Sequence, residues 1–583
     1  MRRFTRCVFF LVLSVPATVL WSQERDPIFA VTYPAAEDTF NVAKLRIAGY
    51  APPEALVRIN SSPVRVYSHG AFIGRVDLQP GWNAIPVSCT WRQRTLMDTV
   101  RVFRPYPLVP LAEIPTVFDA VLLEPAADLL LSPGDQLEVA CKGSPAAEAE
   151  VYIEGTGRSR PLAPAIGLPA GCYRSILTVG DWPLQKPLQI VFSLTGRDGR
   201  RIQQAAPGRV TVMSPEDPLL GYTQPESNVW NAACEGVVLT VLPDSVPVQI
   251  TGKVLNRWRI RLGKTLAGYI DATDLQAEPK AMALPATPVS APSLSFEQDW
   301  LRLDMRVNHP VPFTLEQSLD PAVLELTLYG AFVSSAWITH PNVETFINQI
   351  SWTQLEEQVV RWRIELKQKQ QWGHYVAFQD KRLSLYIRRA PAKSQDPGKP
   401  LAGLTIVLDP GHGGCESGAR SSIGLEEKEI NLQVARYLAE EIRRSGGTVV
   451  FTRTTDTLMT IAQRICKARR ERAHLYLWLH NNSVGPEVDA GRVRGTSTYY
   501  YVPQNRALAE KVYNRLRRIP LSPYGCIQQA YTVTRVCDML VILVEGAFMS
   551  HPEDERLLMK PSFLRRMAGA IDSGIIDFLR TAR

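Results

Sequence analysis

The sequence predicts a multidomain chain in which several all-β modules precede one C-terminal, doubly wound α/β domain. Three observations carry that reading: a length of 583 residues, Pro-rich breaks between strand-rich blocks, and a change of hydrophobic period near residue 400. At roughly 100 to 200 residues per domain, the length calls for about three to five domains. Hydrophobic residues at 45% and charged residues at 21% are ordinary globular values and exclude a disordered or collagen-like chain. The net charge is +8, and residues 401–583 hold 25 basic against 19 acidic residues, so most of the excess lies in the last third. Such an excess suits an anionic partner. No basic stripe with interleaved aromatics argues for nucleic acid.

Residues 1–6 carry three arginines and 7–21 form an apolar run interrupted by Pro16, which together read as a secretory signal peptide over 1–23. The run is shorter than the ~20 residues of a spanning helix, so no integral membrane segment is expected once the signal is cleaved. Nine cysteines contain no CxxC pair, and none is assigned to metal. Cys526 with Cys537, or Cys141 with Cys172, are candidate disulfides in an oxidising compartment, and unpaired core thiols are the equal alternative.

Residues 27–105 alternate apolar and polar with Pro or Gly at short intervals, which predicts a β-sandwich. The words RIAGYAPPEALVRINSSPVRVYSHGAFIGRVDLQPGWNAIPV resemble bacterial immunoglobulin-like modules. Residues 117–214 repeat the style, with strands at 136–140, 150–153 and 188–194, and predict a second β-sandwich. Residues 218–277 are compact, and VPVQITGKVLNRWRIRLGKTLAGYIDATDLQ resembles a small Src-homology-three-like barrel in which Trp258 and Tyr269 serve as core or as a ligand platform. A Pro/Ala/Ser-rich stretch, 278–293, reads as a linker. Residues 294–390 contain the period-2 segments LRLDMRV, VLELTLYG, VVRWRIELK and KRLSLYIRR. Their order is similar to the amidase N-terminal (AMIN) domain, a β-sandwich associated with targeting to peptidoglycan. A second linker, 391–402, follows.

Over 403–583 strands alternate with helices, predicted at 405–408, 449–452, 475–479, 498–502 and 541–544 for strands and 430–442, 507–516 and 563–579 for helices. Sites in open α/β sheets lie beyond the carboxyl ends of strands. Three such ends carry ligand or acid–base groups: DPGHGG with His412, HNNS opening at His480, and EGAF opening at Glu545. Glu427 opens the helix after the first strand. Two imidazoles and a carboxylate, with a further carboxylate nearby, make up a catalytic zinc site that keeps a position for water.

The motifs LTIVLDPGHGG, GLEEKEINLQVARYLAEEI, GGTVVFTRTTD, the arginine of IAQR, YLWLHNNS and LVEGAFMSHPEDERLL occur in order across about 180 residues. On these the region resembles the zinc-dependent N-acetylmuramoyl-L-alanine amidases, which cut peptidoglycan between muramic acid and the stem peptide. The resemblance implies Zn²⁺ held by His412, Glu427 and His480, with Glu545 as catalytic base. Glu426 and Glu429 are the fallback ligands if the register differs. It also gives Asn482 and Arg464 roles beside the ligands or against substrate. The chain departs from the family at Cys415-Glu416 after GHGG, at Trp478-Leu479 before the second histidine, and at GAFMSH after the base.

The 64 residues between His480 and Glu545 leave little room for the long blocking helix of some relatives, so the site is expected to be open. Control is then expected from the upstream β domains, through activator or division proteins. The cluster Arg464, Lys467, Arg469, Arg470 and Arg472 reads mainly as a solvated helix face, with Arg464 the exception because it matches a family position. The implied function is peptidoglycan hydrolysis outside the cytoplasm, in the periplasm or at the cell exterior. Two alternatives are a zinc peptidase acting within the stem, which no HExxH pair supports, and a wall-binding scaffold with a degenerate amidase fold.

Overall fold

The computed structural model describes residues 28–582 apart from 215–217, 235, 282–283, 321 and 335–345. The expected signal peptide, 1–23, lies outside the described residues.

Residues 30–104 form two antiparallel sheets whose alternating inward residues, such as Leu45, Ile47, Val57, Val87 and Val102, close one core. Residues 118–212 form a second two-sheet unit around Val139, Val151, Ile190 and Phe192. One of its sheets runs on through the strand Leu129–Leu131 into the strand-rich unit that begins at Leu219. That unit and the next, two four-stranded sheets over 293–388, share one hydrophobic core running from Val229 to Ile387. The expected linker 278–293 is part of this packing. Within it the strand Thr287–Val289 pairs in parallel with Ala331–Val333, and Thr287 and Val289 are fully buried. Residues 391–402 run as turns and irregular chain until Leu401 enters the last core. Cys141, Cys172, Cys526 and Cys537 are free thiols, so neither disulfide forms.

The C-terminal domain is a six-stranded sheet in the order Thr448–Phe451, Thr405–Pro410, Leu475–Asn482, Leu540–Phe548, Thr496–Tyr500, Pro523–Gln528. Helices cover both faces, because side chains alternate along each buried strand. Ile406, Leu408, Leu475, Leu477, Ile542 and Val544 meet helices α1 (Glu427–Arg444), α3 (Arg506–Leu516) and α5 (Pro561–Thr581). Val407, Tyr476 and Val541 meet α2 (Ile461–Arg470) on the other side. Helix α2 starts at a capping box, Thr460 with Gln463, and α4 (Pro552–Leu558) and α5 each place Pro at the first helical position. Gly574 lets α3 and α5 close up, since a Cβ there would sit 2.5 Å from the Val512 Cα.

His374 joins the fourth β unit to this domain through a hydrogen bond from its amide to the Cys537 carbonyl, 2.8 Å. Its imidazole is buried, and burial pushes it down from 6.5 to about 4. The unfolded chain takes up the proton near pH 6.5 and the folded chain only near pH 4, so acidification through that window favours unfolding. The loss reaches about 3 kcal/mol by pH 4. Denaturant titrations at pH 7 and pH 4 are expected to show this extra acid sensitivity, and His374→Gln is expected to remove it.

Candidate metal centre

All three expected ligands meet at the carboxyl end of the central strands. The turn after Thr405–Pro410 carries His412, which stands at φ +60°, with Gly413 and Gly414 continuing the left-handed run. Its Nε2 lies 3.2 Å from Glu427 Oε2, and His480 Nδ1 lies 2.8 Å from Glu427 Oε1. The ligand-type atoms of His412, Glu427 and His480 all lie within 4.8 Å of one another. The two imidazoles meet edge to face at 4.8 Å, and Trp478 also meets His480 edge to face, at 4.5 Å.

Glu427 is the first residue of α1 and is buried. Burial works against its charge, but its contacts with His412 and His480 prevail and hold its carboxyl well below the usual carboxylate range. Backbone amides of Ala419 (2.9 Å) and Asn481 (3.1 Å) donate to the two oxygens. The fallback ligands are elsewhere: Glu426 pairs with Arg420 and Lys428, and Glu429 is exposed.

Glu545 is the direct strand neighbour of His480. Its Oε2 is sealed from water and has no hydrogen-bond partner. Burial, then the charge of Glu427, raise its pKa well above the ordinary carboxylate value. Two neighbouring carboxylates repel unless a cation lies near them, and the donor set of two imidazoles and a carboxylate suits a divalent metal.

Arg464 is not a substrate contact. It is buried, ion-paired with the fully buried Asp409, and donates to the carbonyls of Pro410 (3.0 Å), His412 (2.8 Å) and Met459 (3.0 Å). It clamps the turn that presents His412. Removing it strands a buried carboxylate, so Arg464→Met is expected to cost about 3–5 kcal/mol in urea unfolding; a loss below about 1 kcal/mol would contradict this role. Asn482 Oδ1 accepts from the Ser483 amide within its own turn.

The neighbouring Asn481 takes the position beside the ligands. Asn431 donates to Glu427 Oε1 (3.2 Å) and accepts from Asn481 Nδ2 (2.9 Å), while Asn481 Oδ1 accepts from the Ala547 amide (3.1 Å). Sequence reasoning missed this bridge. The signal for Asn431 was its place four residues after Glu427 on the core-facing stripe of α1. Arg453 was also missed; it donates to the carbonyls of Pro410, Gly411 and Lys428.

Among the described residues between His480 and Glu545 the one α-helix is α3, which packs against α5 rather than over the site. The first β unit instead grips the loops beside the site. Arg46 donates from its amide to the Pro486 carbonyl (2.8 Å), Thr32 donates to the Ser422 carbonyl (2.7 Å), and His69 meets Glu555 at 2.9 Å. Glu555 accepts in turn from the Ile423 amide. His412 keeps about a third of its side chain exposed, so the centre remains reachable from solvent.

A doubly wound domain with two imidazoles and a glutamate gathered at its strand ends, and a second glutamate beside His480 in the next strand, defines a protein class with a His–Glu–His candidate metal site. Residues 406–577 match the family described as N-acetylmuramoyl-L-alanine amidase, so the C-terminal third of the chain is a domain of that family. N-acetylmuramoyl-L-alanine amidase LytC of Bacillus subtilis (strain 168) is 32% identical over 186 residues, 31% of this chain and 36% of LytC. The probable cell wall amidase LytH of Staphylococcus aureus is 33% identical over 184 residues, 31% of this chain and 59% of LytH. The chain thus spans about a third of LytC and under two thirds of LytH. Among solved structures, N-acetylmuramoyl-L-alanine amidase AmiC2 of Nostoc punctiforme is 34% identical, covering 30% of this chain and 97% of its own, with a TM-score of 0.29. No helix among the described residues is long and apolar enough to cross a membrane.

Proposed function

We propose that this protein is an exported, zinc-dependent peptidoglycan hydrolase that cleaves the amide between N-acetylmuramic acid and the L-alanine of the stem peptide. The work is wall remodelling or separation of daughter cells, with the upstream β units as contacts for wall or for activator and division proteins. The observation that carries the reading is the convergence of His412 and His480 on one buried carboxylate, Glu427, with the sealed Glu545 beside His480 in the next strand.

His412, Glu427 and His480 would hold the Zn²⁺. When bound, the ion supplies a Lewis acid that polarises the scissile carbonyl and lowers the pKa of a water toward ~7. Glu545, the strand neighbour of His480, accepts a proton from the attacking water. The same carboxyl then passes the proton to the leaving L-alanine amine. Asn431 and Asn481 keep Glu427 aimed at both imidazoles, and Arg464 and Arg453 keep the His412 turn from shifting.

The test is mass spectrometry of peptidoglycan treated with the full chain, zinc-loaded or stripped by chelation. Released stem peptides with a free L-alanine amine are expected from the loaded protein alone. Cleavage inside the stem would mean a peptidase, and zinc binding without release would mean a scaffold; either result overturns the proposal.

A further inference from the structure

A cavity of about 760 Å³ lies at the far end of the α/β sheet from the metal centre. Ala473, just before the strand Leu475–Asn482, lines it, whereas His480 stands at that strand's other end. The cavity is enclosed by the third and fourth β units and the amidase domain. Every residue of the strand Val238–Leu242 lines it. That strand is the last of its sheet, paired on one side with Ser227–Trp230. The strands Phe313–Leu319 and His374–Gln379, which also contribute lining residues, are each terminal in their own sheets. An edge strand offers backbone donors and acceptors to an added chain; on this one the Val238 carbonyl already accepts from the Tyr501 hydroxyl (3.3 Å), which leaves the positions after it.

The charge of the cavity is unbalanced. Its two acids, Glu226 and Asp538, are both paired with Arg469. Arg535 and Arg388 form no ion pair among the described residues. Arg535 donates to the Ala530 carbonyl (3.1 Å) and lies 6.0 Å from the Trp230 ring centre. Arg388 donates to the carbonyls of Ala473 and Arg472 and lies 5.4 Å from the centre of Trp300, and its Nε is buried without a partner. Burial lowers the pKa of both guanidiniums, which marks the cost of keeping them charged there. Carbonyls and ring faces satisfy part of a guanidinium, and a carboxylate satisfies it fully.

We propose that this cavity is a second binding site, for an extended acidic peptide that adds as a strand to the edge Val238–Leu242 and brings carboxylates to Arg535 and Arg388. Five edge residues at ~3.3 Å each accept a segment about five residues long, and the cavity volume lies within the usual range for ligand sites. The site is separate from amide hydrolysis and stands whether or not the metal centre turns over peptidoglycan.

The probe is a fluorescein-labelled pentapeptide, Glu-Thr-Glu-Thr-Glu, titrated against the full chain by anisotropy. Saturable binding is expected, weakened at least tenfold by Arg535→Gln. Val241→Glu, at a partly exposed residue of the edge, places a like charge in the cavity without removing any hydrogen bond and is expected to weaken it similarly. The Lys-Thr-Lys-Thr-Lys peptide and an acidic peptide N-methylated at alternate amides are expected not to bind. Equal binding of the lysine peptide, or an unaltered affinity in both variants, would overturn the site; full binding of the N-methylated peptide would overturn strand addition.

Discussion

Glu545→Gln is expected to lower the rate of stem-peptide release by about 10²–10⁴-fold, the range removed with a general acid–base, while zinc stays bound. The substitution keeps the shape of the side chain but leaves an amide that cannot take a proton. Nothing else in the centre depends on Glu545 Oε2, which has no hydrogen-bond partner. Its ionised form is opposed by burial and by Glu427, so the neutral amide also relieves repulsion and folding stability is expected to hold or rise. Mass spectrometry of released peptides beside metal analysis of the same sample reads both quantities. Retention of activity within tenfold would remove Glu545 from the role of base; loss of zinc would make it a ligand instead.

Gly411→Ala is expected to weaken zinc binding by about 10–100-fold or more, the scale seen when the support of a metal ligand is disturbed. A Cβ at Gly411 would fall 2.0 Å from His480 Nε2 and 2.2 Å from its Cε1. Neither side yields easily. The ring is held by Glu427 and meets Trp478 edge to face, and the Gly411 backbone is fixed by its amide on the Leu479 carbonyl and by Arg453 on its own carbonyl. The imidazole must therefore swing away from His412 and Glu427. Competition with a chromogenic chelator measures the affinity, and Gly569→Ala, where a Cβ meets nothing within 4 Å on α5, is the control. Wild-type affinity in Gly411→Ala would mean that the ring is not confined by this turn.

Much of the centre was legible in the chain because its residues stand where a short, nearly continuous apolar run stops. His412, His480 and Glu545 each follow such a run, and Glu427 opens the amphipathic α1. The neighbouring asparagines were not legible to the same degree. The family resemblance singled out Asn482, whereas the pairing with Leu540–Phe548 slips between His480 and Asn482. That irregularity turns the Asn481 amide onto Glu427 and leaves Asn482 to its own turn. Arg464 was found by its motif, yet its role required the fold, since Asp409 is 55 residues away in the chain.

Strand and helix periods, the change of pattern near residue 400, and the ligand types at strand ends are local properties, written in side chains a few residues apart. They are legible because burial rewards the same face of each element wherever it comes to lie. Other features depend on groups far apart in sequence meeting in space. The third and fourth β units merge into one core and absorb the apparent linker; the first unit takes hold of the loops at 422 and 486; and Arg388 and Arg535 come to line one cavity with no ion pair of their own among the described residues. Such contacts follow from how whole apolar faces and unpaired charges find partners across the chain, and only the folded arrangement selects them.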